Sequence, residues 1–297
     1  MRIDLHVHSS RSDGTDTPAE LVARARAAGL DLVALCDHDA LDGVAEATRA
    51  GRAAGVAVLP GLELSCQREG VTVHLLGLGV RPDPALQDEL ARVRADRDTR
   101  LDAILERLAR AGVRLTRAQV MAVAGRATTL GRPHVADAMV AAGYAADRTE
   151  AFRVWLCENC PGYVPHYRVP VADGIALVRS AGGVAVLAHA WGRTARSVLT
   201  PDCLAGLARP ADGAAGLDGL EVDHQDHDPA TRAGLRALAG RWGLIVTGAS
   251  DYHGVGKVAH ELGCNTTDVE NWGRIAALIT ARGGILPAPD GVWRDAP

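Results

Sequence analysis

Short apolar runs alternating with amphipathic stretches set the pattern of this chain. Ile3-Asp4-Leu5-His6-Val7-His8 alternates with period two, the mark of a β-strand with one polar face, so the two imidazoles point the same way. A strand over residues 2–7 is followed by Thr17-Pro18-Ala19-Glu20, a capping box with proline at the first helical position, and by a helix that stops at Gly29. The run 32–36 predicts a buried strand, 42–54 a helix closed by Gly55, and 56–59 and 71–79 two further strands. Strands alternating with helices in this way predict βαβ units around a parallel sheet.

The pattern changes at Pro82. From there to about 164 the chain is Ala- and Arg-rich and reads as helical, with a second capping box at Thr116-Arg117-Ala118-Gln119. Strands at 184–188, 219–222 and 244–248 then alternate with helices at 172–181, 201–208, 229–240 and 269–282. About seven strands with connecting helices suit a closed α/β barrel better than an open doubly wound sheet. The predicted organisation is a barrel domain from 1–82 and 165–297, with 83–164 as an inserted all-helical subdomain that contributes to the substrate pocket.

Composition narrows the partners. Hydrophobic residues make up 47% of the 297, which describes an ordinary globular protein. Aromatics are only 3%, too few for a base-stacking surface, and a net charge of −4 argues against non-specific binding to long polyanions. A small phosphorylated ligand stays open if the site brings its own positive charge. No run approaches the length of a membrane span and no obligate protein partner is evident, so a cytoplasmic location is expected. The six cysteines are expected to be reduced there; Cys157 and Cys160 form a CxxC with no second pair at zinc-ribbon spacing.

The chemistry collects at strand ends, where parallel barrels place their active sites. His6, His8 and Asp13 follow the first strand, His38 the second and Glu63 the third; His74, His189, Asp251 and His253 fall at or near later strand ends. Nine nitrogen and oxygen ligands are too many for one zinc, so two or three divalent ions sharing carboxylates are implied. Such a donor set suits Mn, Fe or Zn better than Ca or Mg. Asp4, Asp37 and Asp39 are expected to orient ligand histidines. His166, His227 and His260 read as surface or helix-end residues, and Arg92, Arg94, Arg97 and Arg100 as a solvated helix face. Lys257 could touch a second phosphate.

The stretches DLHVHS, ALCDHDAL, PGLELS, VHLLGLG, GRPHVA, YVP, VAVLAHA, GLEVDH, TGASDYHG and LGCNTT resemble the PHP (polymerase and histidinol phosphatase) superfamily of metal-dependent phosphoesterases. Within it they resemble the free-standing bacterial branch of nucleotide 3',5'-bisphosphate phosphatases and 5'-3' exoribonucleases. The resemblance implies a distorted (β/α)7 TIM-like barrel and a trinuclear site. His6, His8, Glu63 and Asp251 would hold one metal, Glu63, His74 and His189 a second, and Asp13, His38 and His253 a third. Arg132 and His134 would reach from the helical insert to the substrate phosphate, His134 as an alternative proton donor, with Asp251 among the catalytic groups. Cys36, Ala190 and His224 depart from the usual pattern; none removes a ligand, but His224 alters the substrate pocket, as Lys257 would if it binds there. The implied activity is removal of a terminal phosphate from a small nucleotide such as a 3',5'-bisphosphate, by attack of a metal-bridged hydroxide. The alternatives are a 5'-3' exonuclease on short RNA or DNA oligonucleotides and a non-catalytic metal-binding module.

Overall fold

The computed structural model describes residues 1–287 except 193 and 212. Its strands are β1 (Ile3–Val7), β2 (Leu32–Leu35), β3 (Ala57–Arg68), β4 (Val71–Leu78), β5 (Val169–Pro170), β6 (Val184–Leu187), β7 (Gly219–Asp223) and β8 (Ile245–Gly248). They form one sheet in the order β1-β2-β3-β4-β6-β7-β8, with the short β5 paired to β3 off this path. Beyond β8, Asp251 N–H donates to the His6 carbonyl and His8 N–H to the Tyr252 carbonyl, each at 2.9 Å, so the sheet nearly closes on β1. The barrel read from the sequence is present.

The sheet is not all parallel as expected: β4 runs antiparallel to both β3 and β6. The apolar run that suggested a strand ending at 59 continues through alternating residues to Arg68. Glu69 and Gly70, both at positive φ (52° and 80°), then turn the chain straight back as a hairpin. No crossover helix intervenes, so the next strand has to be antiparallel.

The barrel is wrapped by α1 (Pro18–Ala27), α2 (Val44–Ala54), α7 (Val171–Ser180), α8 (Pro201–Ala208), α9 (Pro229–Trp242) and α10 (Val269–Arg282). The Thr17–Glu20 capping box and Pro18 start α1 as expected. Ile3, Leu5, Ala34, Leu59, Leu76 and Val186 make an interior cluster that α10 plugs with Ile275 and Ile279. Ile279 lies against Gly79, which has a positive φ of 74° and where a Cβ would meet its Cδ1 at 2.4 Å, so any larger residue here would strain the backbone and displace Ile279. Each such buried aliphatic side chain contributes about 1.5–3 kcal/mol.

Between β4 and β5 lie α3 (Pro84–Arg110), α4 (Arg117–Ala124), α5 (Arg132–Ala141) and α6 (Arg148–Ala151), followed by a π-helical turn over Phe152–Leu156. These helices bury a cluster of their own around Leu101, Ile104, Leu108, Val135 and Met139. Cys157 and Cys160, expected to be reduced, are joined as a disulfide. The turn after the helical segment brings their Cα atoms to 5.1 Å, within bonding range, which the spacing alone did not establish.

Candidate metal centre

One irregularity in β1 aims the histidine pair. Asp4 pairs with Val33 and Val7 with Leu35, so three residues of β1 span two of β2, a bulge between them. Val33, Leu35 and Val7 pack outward against α1 and α2, while Ile3 and Leu5 pack in the interior. Within the bulge His6, and just past it His8, turn to the centre, both fully buried. Asp4, read as sharing their face, instead accepts from Ser250 N–H and Gly263 N–H at 3.0 and 2.9 Å. Burial pushes its carboxyl up to about 6 against those bonds.

Glu63 stands mid-strand in β3, and His74 reaches the same rim because β4 runs back beside it. Where β2, β6 and β8 stop, Asp39, His189 and Asp251 adopt positive φ (51°, 30° and 53°), conformations that L-residues hold only when their surroundings require it. Two of these turns return ligand candidates, His189 and Asp251, toward the axis.

All nine residues expected as ligands meet there. Glu63 Oε2 lies 3.3, 3.2 and 3.2 Å from His6 Nε2, His8 Nε2 and His38 Nδ1. Its Oε1 lies 2.9 and 3.1 Å from His74 Nδ1 and His189 Nε2. Asp251 Oδ1 is 3.6 Å from His6 Nε2 and 3.4 Å from both His8 Nε2 and His253 Nδ1. Asp13 takes His253 Nε2 at 3.3 Å and His38 Nε2 at 3.7 Å. Among these nine, three groupings are close enough to share an ion: His8, Asp13, His38 and His253; His6, His8 and Asp251; and His38, Glu63 and His74; a fourth among the described residues, His224, Asp226 and His260, lies outside the set. His8 and His38 each join two of them, and Glu63, read as bridging two ions, turns one oxygen to His6, His8 and His38 and the other to His74 and His189.

The donor chemistry fits divalent cations. His6 Nε2 and His8 Nε2 face each other at 2.9 Å, and His8 Nδ1, His38 Nδ1, His74 Nδ1 and Asp251 Oδ1 are buried with no hydrogen-bond partner. Lone pairs converging in this way are costly without a cation among them. Burial by itself would raise Glu63, Asp13 and Asp251. The imidazoles around Glu63 and Asp13, and for Asp251 foremost the Lys257 ammonium, hold all three well below the carboxylate range. Burial pushes His38 down to about 3 and His189 down to about 4, which keeps them neutral as ligands must be.

The sequence reading missed Glu221 of β7. It is fully buried, accepts from His6 Nδ1–H at 3.1 Å through Oε1 and from His189 N–H at 2.8 Å through Oε2, and so fixes which nitrogen His6 presents to the centre. Its signal was the carboxylate inside GLEVDH, an acid amid the apolar residues of a strand. Asp37 and Asp39, expected to orient ligand rings, brace the surrounding loops instead: Asp37 accepts from Ser9 N–H and the Ser12 hydroxyl, and Asp39 from Ser65 N–H and the Arg97 guanidinium.

Arg132, at the start of α5, lines a cavity of about 480 Å³ together with Asp13, His38, Glu63, Asp251 and Lys257. Its guanidinium donates to the Leu156 carbonyl at 2.8 Å and lies over Phe152 and Tyr163. Lys257 pairs with Asp251 Oδ2, and His224 Nε2 lies 3.2 Å from the same oxygen, so both sit against the centre. His134 is buried with both ring nitrogens engaged: Nδ1 accepts from Gly131 N–H at 3.1 Å, and Nε2–H donates to the Ser12 carbonyl at 2.8 Å. Proton donation to a leaving group would require breaking the bond to Ser12. His227 and His260, read as surface or helix-end residues, are both buried: His227 does stand at the start of α9, with its Nδ1–H bonded to the Val222 carbonyl, and His260 lies beside His224.

A barrel carrying several clustered histidines and carboxylates defines a class of metal-binding α/β proteins. The PHP domain family model matches residues 4–163, and the chain belongs to that family. It is 35% identical to a 3',5'-nucleoside bisphosphate phosphatase of Chromobacterium violaceum, over 88% of this chain and 90% of that one. It is 34% identical to a phosphoribosyl 1,2-cyclic phosphate 1,2-diphosphodiesterase of Eggerthella lenta (86% and 96%) and 32% identical to a 5'-3' exoribonuclease of Escherichia coli (84% of each). Among solved structures, one from Bifidobacterium adolescentis, provisionally described as a metal-dependent phosphoesterase, superposes with a TM-score of 0.87 at 39% identity, covering 93% of this chain and 96% of that one. Among the described residues no helix is long and apolar enough to cross a membrane.

Proposed function

We propose that this protein is a metal-dependent phosphomonoesterase that removes a terminal phosphate from a small nucleotide such as a 3',5'-bisphosphate. The observation that carries the reading is the cage itself: nine side chains from distant parts of the chain converge on one rim, and Arg132 lines the cavity above them. His6, His8 and Asp251 would hold one ion, Glu63 with His38, His74 and His189 a second, and Asp13 with His38 and His253 a third, with Mn, Fe or Zn favoured by the donors. Divalent ions held there would supply an acidified water and neutralise negative charge on the phosphoryl oxygens.

The chain's own groups do the rest. Glu221 orients His6, Arg132 would present a guanidinium fork to phosphate oxygens, and Lys257, paired with Asp251 at the wall of the same cavity, would add a cationic donor there. His134 fixes the Ser12–Asp13 loop and so positions the Asp13 ligand. A second reading, diester cleavage of short oligonucleotides, is favoured by the exoribonuclease and diphosphodiesterase relatives. Phosphate release would be measured over nucleotide mono- and bisphosphates and short oligonucleotides, with metal stripped and then restored. Turnover of bisphosphates dependent on added Mn is expected; undiminished turnover by the metal-free protein overturns the proposal.

A further inference from the structure

The loop that follows Lys257 ends in a second histidine cluster, outside the nine-residue cage. His224, Asp226 and His260 each offer a ligand atom, and these atoms all lie within 4.8 Å of one another. His224 and Asp226 follow the end of β7, while His260 arrives from the loop after β8, where Ala259 turns the chain at a φ of 61°. His224 is fully buried and His260 is 8% exposed, whereas Asp226 stands in an exposed turn and opens the cluster to solvent.

The hydrogen bonds leave this cluster short of a cation. His260 Nδ1–H donates to the Val258 carbonyl at 2.8 Å, so the free lone pair is on Nε2. That nitrogen is buried without a hydrogen-bond partner and lies 3.6 Å from Asp226 Oδ1. A buried lone pair facing a carboxylate oxygen is costly unless something positive sits between them. His224 brings a second lone pair to the same place. Asp226 N–H donates to its Nδ1 at 3.0 Å, which puts the His224 proton on Nε2, 3.2 Å from Asp251 Oδ2. Carboxylate, imidazole and metal in that order is the usual way a ligand histidine is held, and the amide now on Nδ1 belongs to an exposed turn, where water can take its place. The frame is set before any ion arrives: Arg232 donates to the His224 and His227 carbonyls at 2.6 and 3.1 Å, and Gln225 Nε2 donates to the Ala259 carbonyl at 3.0 Å, tying the two loops together.

We infer that His224, Asp226 and His260 form a separate site for a single transition-metal ion of the zinc class, joined to the cage through Asp251. Two imidazoles and one carboxylate, open to solvent on the Asp226 side, are the donor set of a three-ligand zinc site with a fourth position left for water. Bound there, the ion would staple the loop carrying Lys257 to the end of β7. His224 is one of the positions that depart from the family's usual pattern, so the site is this chain's own. The inference is independent of the phosphatase reading, because no turnover enters its test.

The test counts bound Zn. Full-length wild type, His260→Gln and Asp226→Ala are dialysed to equilibrium against micromolar free Zn, and the ions per chain are measured by plasma mass spectrometry. Each variant is expected to hold one ion fewer than wild type and to keep the rest. Anomalous diffraction at the zinc edge, from wild-type crystals grown at the same free Zn, is expected to show a peak about 2.0–2.2 Å from His260 Nε2 and from an Asp226 carboxylate oxygen. A count equal to wild type in either variant overturns the inference. Equality in both means that a proton, and no metal, lies between His260 and Asp226, and a crystal peak is then binding at crystal concentration only. Loss of more than one ion from both variants overturns it too, because these residues then support the cage and hold no ion of their own. Should His260→Gln fail to fold, Asp226→Ala, altered in an exposed turn, and the wild-type map decide together: one ion lost and a peak at this place support the site, and an unchanged count or an absent peak overturns it.

Discussion

Replacing Glu221 by glutamine tests whether an acid outside the ligand cage governs how the cage binds metal. Both oxygens of Glu221 accept, one from His6 Nδ1–H at 3.1 Å and the other from His189 N–H at 2.8 Å. Glutamine offers one acceptor and one NH2, so either His6 or the His189 backbone would face a donor. With the residue fully buried, that leaves an unsatisfied donor, costing about 1–3 kcal/mol of stability. The negative charge behind His6 is lost as well, so its Nε2 becomes a weaker ligand. Removing such an outer carboxylate typically weakens metal binding about 10- to 100-fold, which corresponds to roughly 1.4–2.8 kcal/mol. Chelator competition with Mn on the purified wild type and Glu221→Gln measures this directly, and thermal unfolding of the two metal-free proteins measures the stability part. Metal affinity within twofold of wild type would refute the reasoning, since it would show that His6 needs no partner to present Nε2.

Three further outcomes follow from the same geometry. Glu63→Ala removes the carboxylate whose two oxygens face five imidazoles and should lower aryl-phosphate hydrolysis in Mn by about 10³-fold or more; a loss under tenfold would contradict a central role. Burial would lower His8, but Asp251 and Glu63 hold it raised at about 9, so below that pH a cation must displace its proton. Metal affinity should therefore weaken as pH falls, roughly tenfold per unit for each proton released, and calorimetry in buffers of different ionisation enthalpy at pH 7 should detect that release. Ile279→Ala opens a cavity where α10 plugs the barrel and should cost about 2–5 kcal/mol of unfolding free energy, read by denaturant titration; a change below that range would mean α10 repacks freely.

The chain's text alone determined the alternation of strands and helices, the helical stretch after β4, and the nine residues that gather at the centre. These features are local: periodicity, caps and glycine stops act within a few residues, and side chains at strand ends share a rim once a barrel closes. What only the tertiary structure decided depends on partners far apart in sequence. The bulge in β1 shows itself only against β2, the reversal of β4 only through the hairpin at Glu69-Gly70, and the role of Glu221 only where His6 and His189 approach it. Arg97 and Arg100 look like any solvated helix face until the barrel and the segment before β5 close over them. Burial is a property of the assembled molecule, and it is burial that turns an ordinary acid or arginine into one that has to be paired.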